Sequence, residues 1–162
     1  MIKIITISIF LLISTISFSK EQKILKITNS KTKNIGYIFI ETNDDTDEIT
    51  SFRYDTFKPS GEVLDEPHNM PFEDFLEGDI GMVGLSSKMI FVTPHDFSSQ
   101  DGGAVTIKYP LNFILGKFTT INIQLVKNDT SWEAYAPDDT KITHCHIVVS
   151  AFFLGVKKLQ FK

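Results

Sequence analysis

The chain has 162 residues, with 20 Asp and Glu against 16 Lys and Arg, a formal charge of −4 and 42% apolar residues. That is enough for one domain to bury a core of its own, while the acidic balance speaks against nucleic acid and anionic membrane surfaces, which attract concentrated Lys and Arg. The only cysteine is Cys145, so an intramolecular disulfide is excluded and packing alone must hold the fold.

In chain order, the first segment is a targeting pattern. Lys3 is the only charge before Lys20, and the apolar run from Ile4 to Phe18 is broken only by Thr and Ser. Small residues follow at Ser17 and Ser19, and Lys20-Glu21 restores charge, which is the layout of a signal peptide over 1–19. The run falls short of the roughly 20 residues a membrane-spanning helix needs. No cysteine at the junction offers a lipid attachment point. The expectation is an exported protein, secreted or periplasmic, with no membrane span after cleavage. The mature part, 20–162, is read as a single β-rich domain.

After Lys20 the dominant signal is period two. Strands are expected from Ile24 to Thr28, from Ile35 to Thr42 and from Ile49 to Phe57, the first two joined as a hairpin, with Phe52 and Tyr54 on one face of the third. The stretch Lys58–Lys88 is broken by Pro59, Gly61, Pro67, Pro71, Gly78, Gly81 and Gly84, and reads as irregular. One short helix fits within it. Pro71 stands near its first turn, Glu73 and Asp74 suit the helix dipole, Phe72, Phe75 and Leu76 share a face, and Gly78 ends it. Further strands are expected at Met89–Thr93, Ala104–Tyr109, Phe118–Lys127, Trp132–Tyr135, His144–Leu154 and Val156–Phe161. The clearest is Phe118–Lys127, where Ile121, Ile123 and Leu125 alternate with Thr120, Asn122 and Gln124. The second half reads as an antiparallel meander. The whole is an all-β fold, a sandwich or small barrel of about eight or nine strands with one short helix.

The residues with chemistry are few. His144-Cys145-His146 in a strand puts both imidazoles on one face, able to reach one metal ion. Cys145 falls in register with Ile147, Val149, Ala151 and Phe153. The reading is a buried, inert thiol with both histidines directed away from it. A divalent metal needs three or four protein ligands, so a site would require His95 and Asp96 to come over the His144–His146 face. His68 is the remaining histidine. The turn holding Asp44, Asp45, Asp47 and Glu48 offers hard oxygens of the kind calcium takes, but lacks the glycine and distant glutamate of a helix-loop-helix calcium loop.

Other motifs are weaker. Gly84-Leu85-Ser86-Ser87-Lys88 is not a nucleophile elbow, and no phosphate-cradling glycine loop is present. Trp132, Tyr135 and Tyr109 could form a small sugar platform, but with one Trp and four Tyr against 14 Phe the aromatics point to the core instead. Asn128-Asp129-Thr130 matches a glycosylation acceptor. Charge is uneven: Glu41 to Asp79 holds 13 acids against Arg53 and Lys58. The reading is an exported, non-enzymatic binding domain that turns an acidic loop face (Asp44, Asp45, Asp47, Glu48) to a protein partner or a cation. The alternative is a metal-assisted hydrolase using His144, His146, His95 and Asp96. No catalytic residue and no organic cofactor is assigned.

Overall fold

In a computed structural model, the described residues are 19–77, 80–82, 90–112, 115–129, 131–149 and 156–161. Most of the expected signal peptide lies outside them. The strands are β1 (Ser19–Asn29), β2 (Ile35–Asn43), β3 (Ile49–Phe57), β4 (Val63–Pro71), β5 (Ile80–Met82), β6 (Ile90–Ser98), β7 (Gly102–Asn112), β8 (Lys117–Lys127), β9 (Trp132–Tyr135), β10 (Lys141–Ile142), β11 (His144–Val149) and β12 (Val156–Phe161). One helix, α1 (Phe72–Glu77), follows β4. The strands form two six-stranded sheets, ordered β12-β11-β1-β2-β3-β4 and β10-β9-β8-β7-β6-β5. They pack as a sandwich, mainly antiparallel, as the period-two pattern requires.

The core lies between the sheets. Inward positions of the first sheet (Ile27, Ile40, Phe52, Cys145 and Ile147) meet those of the second (Val92, Val105, Ile107, Ile123 and Leu125), all buried. The alternation expected for β8 holds: Ile121, Ile123 and Leu125 are buried, and Thr120, Asn122 and Gln124 are exposed. In β1 the neighbours Ile24 and Leu25 are both buried, because a bulge between Lys23 and Leu25 resets the register and turns both side chains inward. Helix α1 closes one end. Phe75 packs on Phe52 at 4.0 Å between ring centroids and edge-on against Phe97 at 5.4 Å, while Leu76 is 45% exposed rather than sharing the buried face.

Two expectations need correction. The stretch read as irregular contains β4 and β5. β4 is an edge strand with most residues exposed on both faces, so it carries no period, and Pro67 and Pro71 are tolerated there because an edge needs only one ladder. The meander also ends sooner than expected. After β10 the chain crosses at Thr143 to the other sheet, where β11 pairs parallel to β1, Lys26 opposite His144 and Thr28 opposite His146. The C-terminal part of the expected strand, from Ser150 on, lies outside the described residues.

The hairpins β1–β2 and β2–β3 turn by the same device. In the first, Asn29 Oδ1 accepts the N–H groups of Lys31 (2.9 Å) and Thr32 (3.1 Å), and the Lys33 N–H donates to Asn29 O at 2.9 Å with Lys33 at φ 61°. In the second, Asn43 Oδ1 accepts from Asp45 (2.8 Å) and Thr46 (3.2 Å), and the Asp47 N–H donates to Asn43 O at 2.8 Å with Asp47 at φ 55°. Asparagine suits this place because its short amide reaches its own backbone two and three residues on.

Candidate functional site

The strand register brings His144 and His146 together as expected. They alternate with Cys145 and Ile147, which enter the core, so both imidazoles lie on the outer face of the first sheet. Their ring centroids are 3.9 Å apart, and His144 Nε2 and His146 Nδ1 stand 3.0 and 2.9 Å from one hydroxyl, Thr28 Oγ1. That hydroxyl has one proton. It donates to one ring and accepts an N–H from the other. His146 Nε2 is buried without a partner, so placing the His146 proton on Nδ1 leaves no buried N–H unpaired. Thr28 Oγ1–H then donates to His144 Nε2, and one hydroxyl links both rings.

Cys145 is 0% exposed, and burial pushes its thiol up to about 12. It stays protonated at neutral pH and is a core side chain, as its register implies.

The metal constellation is not assembled. His95 belongs to β6 of the other sheet, where it is exposed, and its Nε2–H donates to Thr106 Oγ1 at 2.9 Å. Thr106 in turn donates to Asn122 Oδ1 at 2.9 Å. Thr93 and His95 pair with Thr106 and Ala104, which alternate with the buried Gly103, Val105 and Ile107, so His95 lies on the outer face of the second sheet. Asp96, next to it, is exposed at φ 47°. The two outer faces of a sandwich are separated by both sheets and the core between them, about 10 Å from sheet to sheet. Among the described residues, no group of three or more His, Cys, Asp or Glu is close enough together to hold a metal ion. The structure does not bring His95 and Asp96 to the face that carries His144 and His146, because sheet membership separates residues whose local patterns gave no sign of it.

The acidic turn is displayed as expected. Asp44, Asp45 and Asp47 are exposed and Glu48 is half-buried. Asp47 pairs with Lys127 at 3.7 Å, and the Glu48 carboxylate accepts from Gln100 Nε2 at 2.5 Å. Asp44 and Asp45 make no ion pair among the described residues.

Behind the turn lies Trp132, 3% exposed, whose Nε1–H donates to Asp47 O at 3.4 Å. Trp132 is held in turn by the Gln22 side chain, which accepts its N–H at 2.9 Å and donates to its carbonyl at 2.6 Å. This clamp and the bond from Ile49 N to Ser99 O, 2.9 Å, tie the two sheets together at the acidic end. Trp132 and Tyr109 are core residues, so no sugar platform forms with Tyr135.

Sequence reasoning missed Thr28, which orients both imidazoles, and Gln22, which anchors Trp132. Each acts through a partner more than 100 positions away, and neither carries a local signal. No helix among the described residues is long and apolar enough to cross a membrane. Compared with models of known families, with curated proteins and with solved structures, the chain matches none.

Proposed function

We propose that the chain is an exported, non-enzymatic binding domain whose acidic turn end docks a basic surface of a protein partner. Export rests on the targeting pattern of Met1–Ser19. The docking end rests on one observation, the duplicated turn. Asn29-Ser30-Lys31-Thr32-Lys33 and Asn43-Asp44-Asp45-Thr46-Asp47 have the same backbone bonds, yet one is basic and the other acidic. The fold therefore does not require carboxylates at 44, 45 and 47. Their presence is a property of the surface, and a surface of one sign steers and selects partners of the other.

The Trp132–Gln22 clamp holds this end in place before any partner arrives, which lowers the ordering cost of association. The mature protein is expected to begin at Lys20 when recovered from outside the cytoplasm and sequenced from its N-terminus. Immobilised mature protein should capture a basic protein from an extract of its native compartment. Asp44→Lys with Asp45→Lys, or about 0.5 M salt, should release it. A catch indifferent to both would overturn the acidic docking end. Saturable calcium binding lost in the same variant would replace the protein partner with a cation.

A further inference from the structure

The two ends of the sandwich differ in more than charge. Gln22, Asp47 and Ile49 tie the sheets together at the acidic end, and strands of both sheets run from there to the opposite end. In the second sheet the far end is the β7–β8 hairpin. β8 runs about 33 Å at the usual strand rise, from Lys127, which pairs with Asp47, back to Lys117, which stands opposite Asn112 and closes the turn. In the first sheet the far end is the basic turn, since β2 runs from Ile35 beside that turn to Asn43 at the acidic one.

Hairpin turns are ordinarily polar, because a protruding turn has no core to enter. This one reads Phe113-Ile114-Leu115-Gly116 in the sequence and is followed by Lys117-Phe118. Leu115 is 64% exposed and Phe118 39% exposed, with Lys117 exposed between them. Gly116, at φ 60°, supplies the left-handed residue that turns the chain into β8. Phe118 meets Phe91 edge-on, ring centroids 6.3 Å apart, and neither Leu115 nor Phe118 belongs to the core between the sheets.

Around this apolar tip the charge is positive. Lys117 stands on it, and Lys31 and Lys33 are exposed in the basic turn at the same end. Lys58 pairs with Glu62 at 2.7 Å and adds no net charge, and Asp65 and Glu66 lie on the edge strand β4, three strands from β1. The acidic balance of the whole chain hides this asymmetry. Asp44, Asp45, Asp47 and Glu48 lie at the other end, as do Glu73, Asp74 and Glu77 of α1, which follows the pairing of Pro71 with Ser51.

We propose that the β7–β8 tip docks this end of the protein on an anionic lipid surface. Leu115 and Phe118 enter the boundary between headgroups and acyl chains, and Lys117, Lys31 and Lys33 meet the headgroup phosphates. A protruding turn suits a fluid surface that closes around it, whereas a protein partner needs a broad, fitted patch of about 800 Å² on each side. Each lysine near an anionic bilayer adds attraction, and each apolar side chain that leaves water adds more. The proposal does not rest on the acidic docking end.

The test is flotation of the chain from Lys20 on, which leaves out the apolar leader, with vesicles of phosphatidylcholine alone or with about 30 mol% phosphatidylglycerol. Anionic vesicles should bind it at least about tenfold more tightly than neutral ones, and about 0.5 M salt should weaken that binding. Leu115→Ser should weaken binding to anionic vesicles about tenfold, and Lys31→Glu with Lys33→Glu should abolish the preference for them. Asp44→Asn with Asp45→Asn, more than a screening length away, should leave binding within about twofold. A polarity-sensitive dye on Leu115→Cys should shift to the blue on anionic vesicles, and the same dye on Asp45→Cys should not; Cys145, 0% exposed, takes no label. Should the Leu115 variants not fold, Lys117→Glu reads the same tip. No binding to anionic vesicles overturns the proposal. So does binding that Leu115→Ser leaves intact with the dye unshifted, which would be charge attraction alone. Self-association that is lost in Leu115→Ser and indifferent to lipid would give the tip to a second copy of the chain, and that too overturns it.

Discussion

The turns at the two ends of β2 share a backbone and differ in the charge they turn outward. Both begin with Asn, both place Thr at the fourth position, and in both that hydroxyl accepts a backbone N–H two residues on, from Asn34 at 3.2 Å and from Glu48 at 3.4 Å. Both end on a residue in the left-handed region. Asn29 is 2% exposed, and the turn it opens bonds to β11 through Ser30 N and Ile147 O at 2.9 Å. Asn43 is half-buried, and its turn faces solvent with three exposed aspartates. The pair separates what a turn needs from what a surface is used for. Asparagine and the left-handed residue are demanded by geometry, whereas the charges are set independently at each end.

The largest expected effect comes from a third turn that uses a different device. Gly102, entering β7, has φ +82°, and a Cβ there would lie 2.0 Å from Leu125 O. Gly102→Ala should cost at least about 3 kcal/mol, or prevent folding, because both the backbone conformation and the space are denied. A small effect would mean that turns in this fold are interchangeable in general, and the likeness of the two Asn turns would lose its meaning.

Next comes the asparagine itself. Asn29→Ala should cost about 2 kcal/mol in urea denaturation and Asn43→Ala about 1 kcal/mol, since each strands two backbone N–H groups, but the bonds lost at the first turn are partly buried and those at the second are exposed. Equal costs would show that the turns differ in charge alone. The smallest effect is expected from rewriting the acidic turn in the language of the basic one. Asp44→Ser with Asp45→Lys should leave stability within about 0.5 kcal/mol of the parent while removing partner capture. A large loss of stability would make the acids structural and remove the main support for the docking end.

Much of this architecture was legible because period-two patterning is a local signal. β8, the burial of Cys145, the shared face of Phe52 and Tyr54, and the helix after Pro71 all follow from residues within a few positions of each other. What escaped is non-local or aperiodic. β4 has neither a wet nor a dry face to alternate, so its prolines outweighed its strand character. The bulge at Lys23 is invisible because two adjacent apolar residues look the same in any register. Above all, the sequence carries no mark of which sheet a strand joins. His95 and His146 could be imagined over one another until the crossover at Thr143 placed them on opposite outer faces.

The parallel pairing of β1 with β11 also sets when this protein can finish folding. Lys26 and His144, partners in that ladder, lie more than 100 positions apart in the chain, and β1 lies inside its sheet rather than at an edge. The first hairpins can form early, but the middle of the first sheet stays open on one side until the residues around His144 have been made. Closing so long a loop is slow. Strands β11 and β12, made after β1 to β10, act as a lock that closes the first sheet late, and topology alone sets that order.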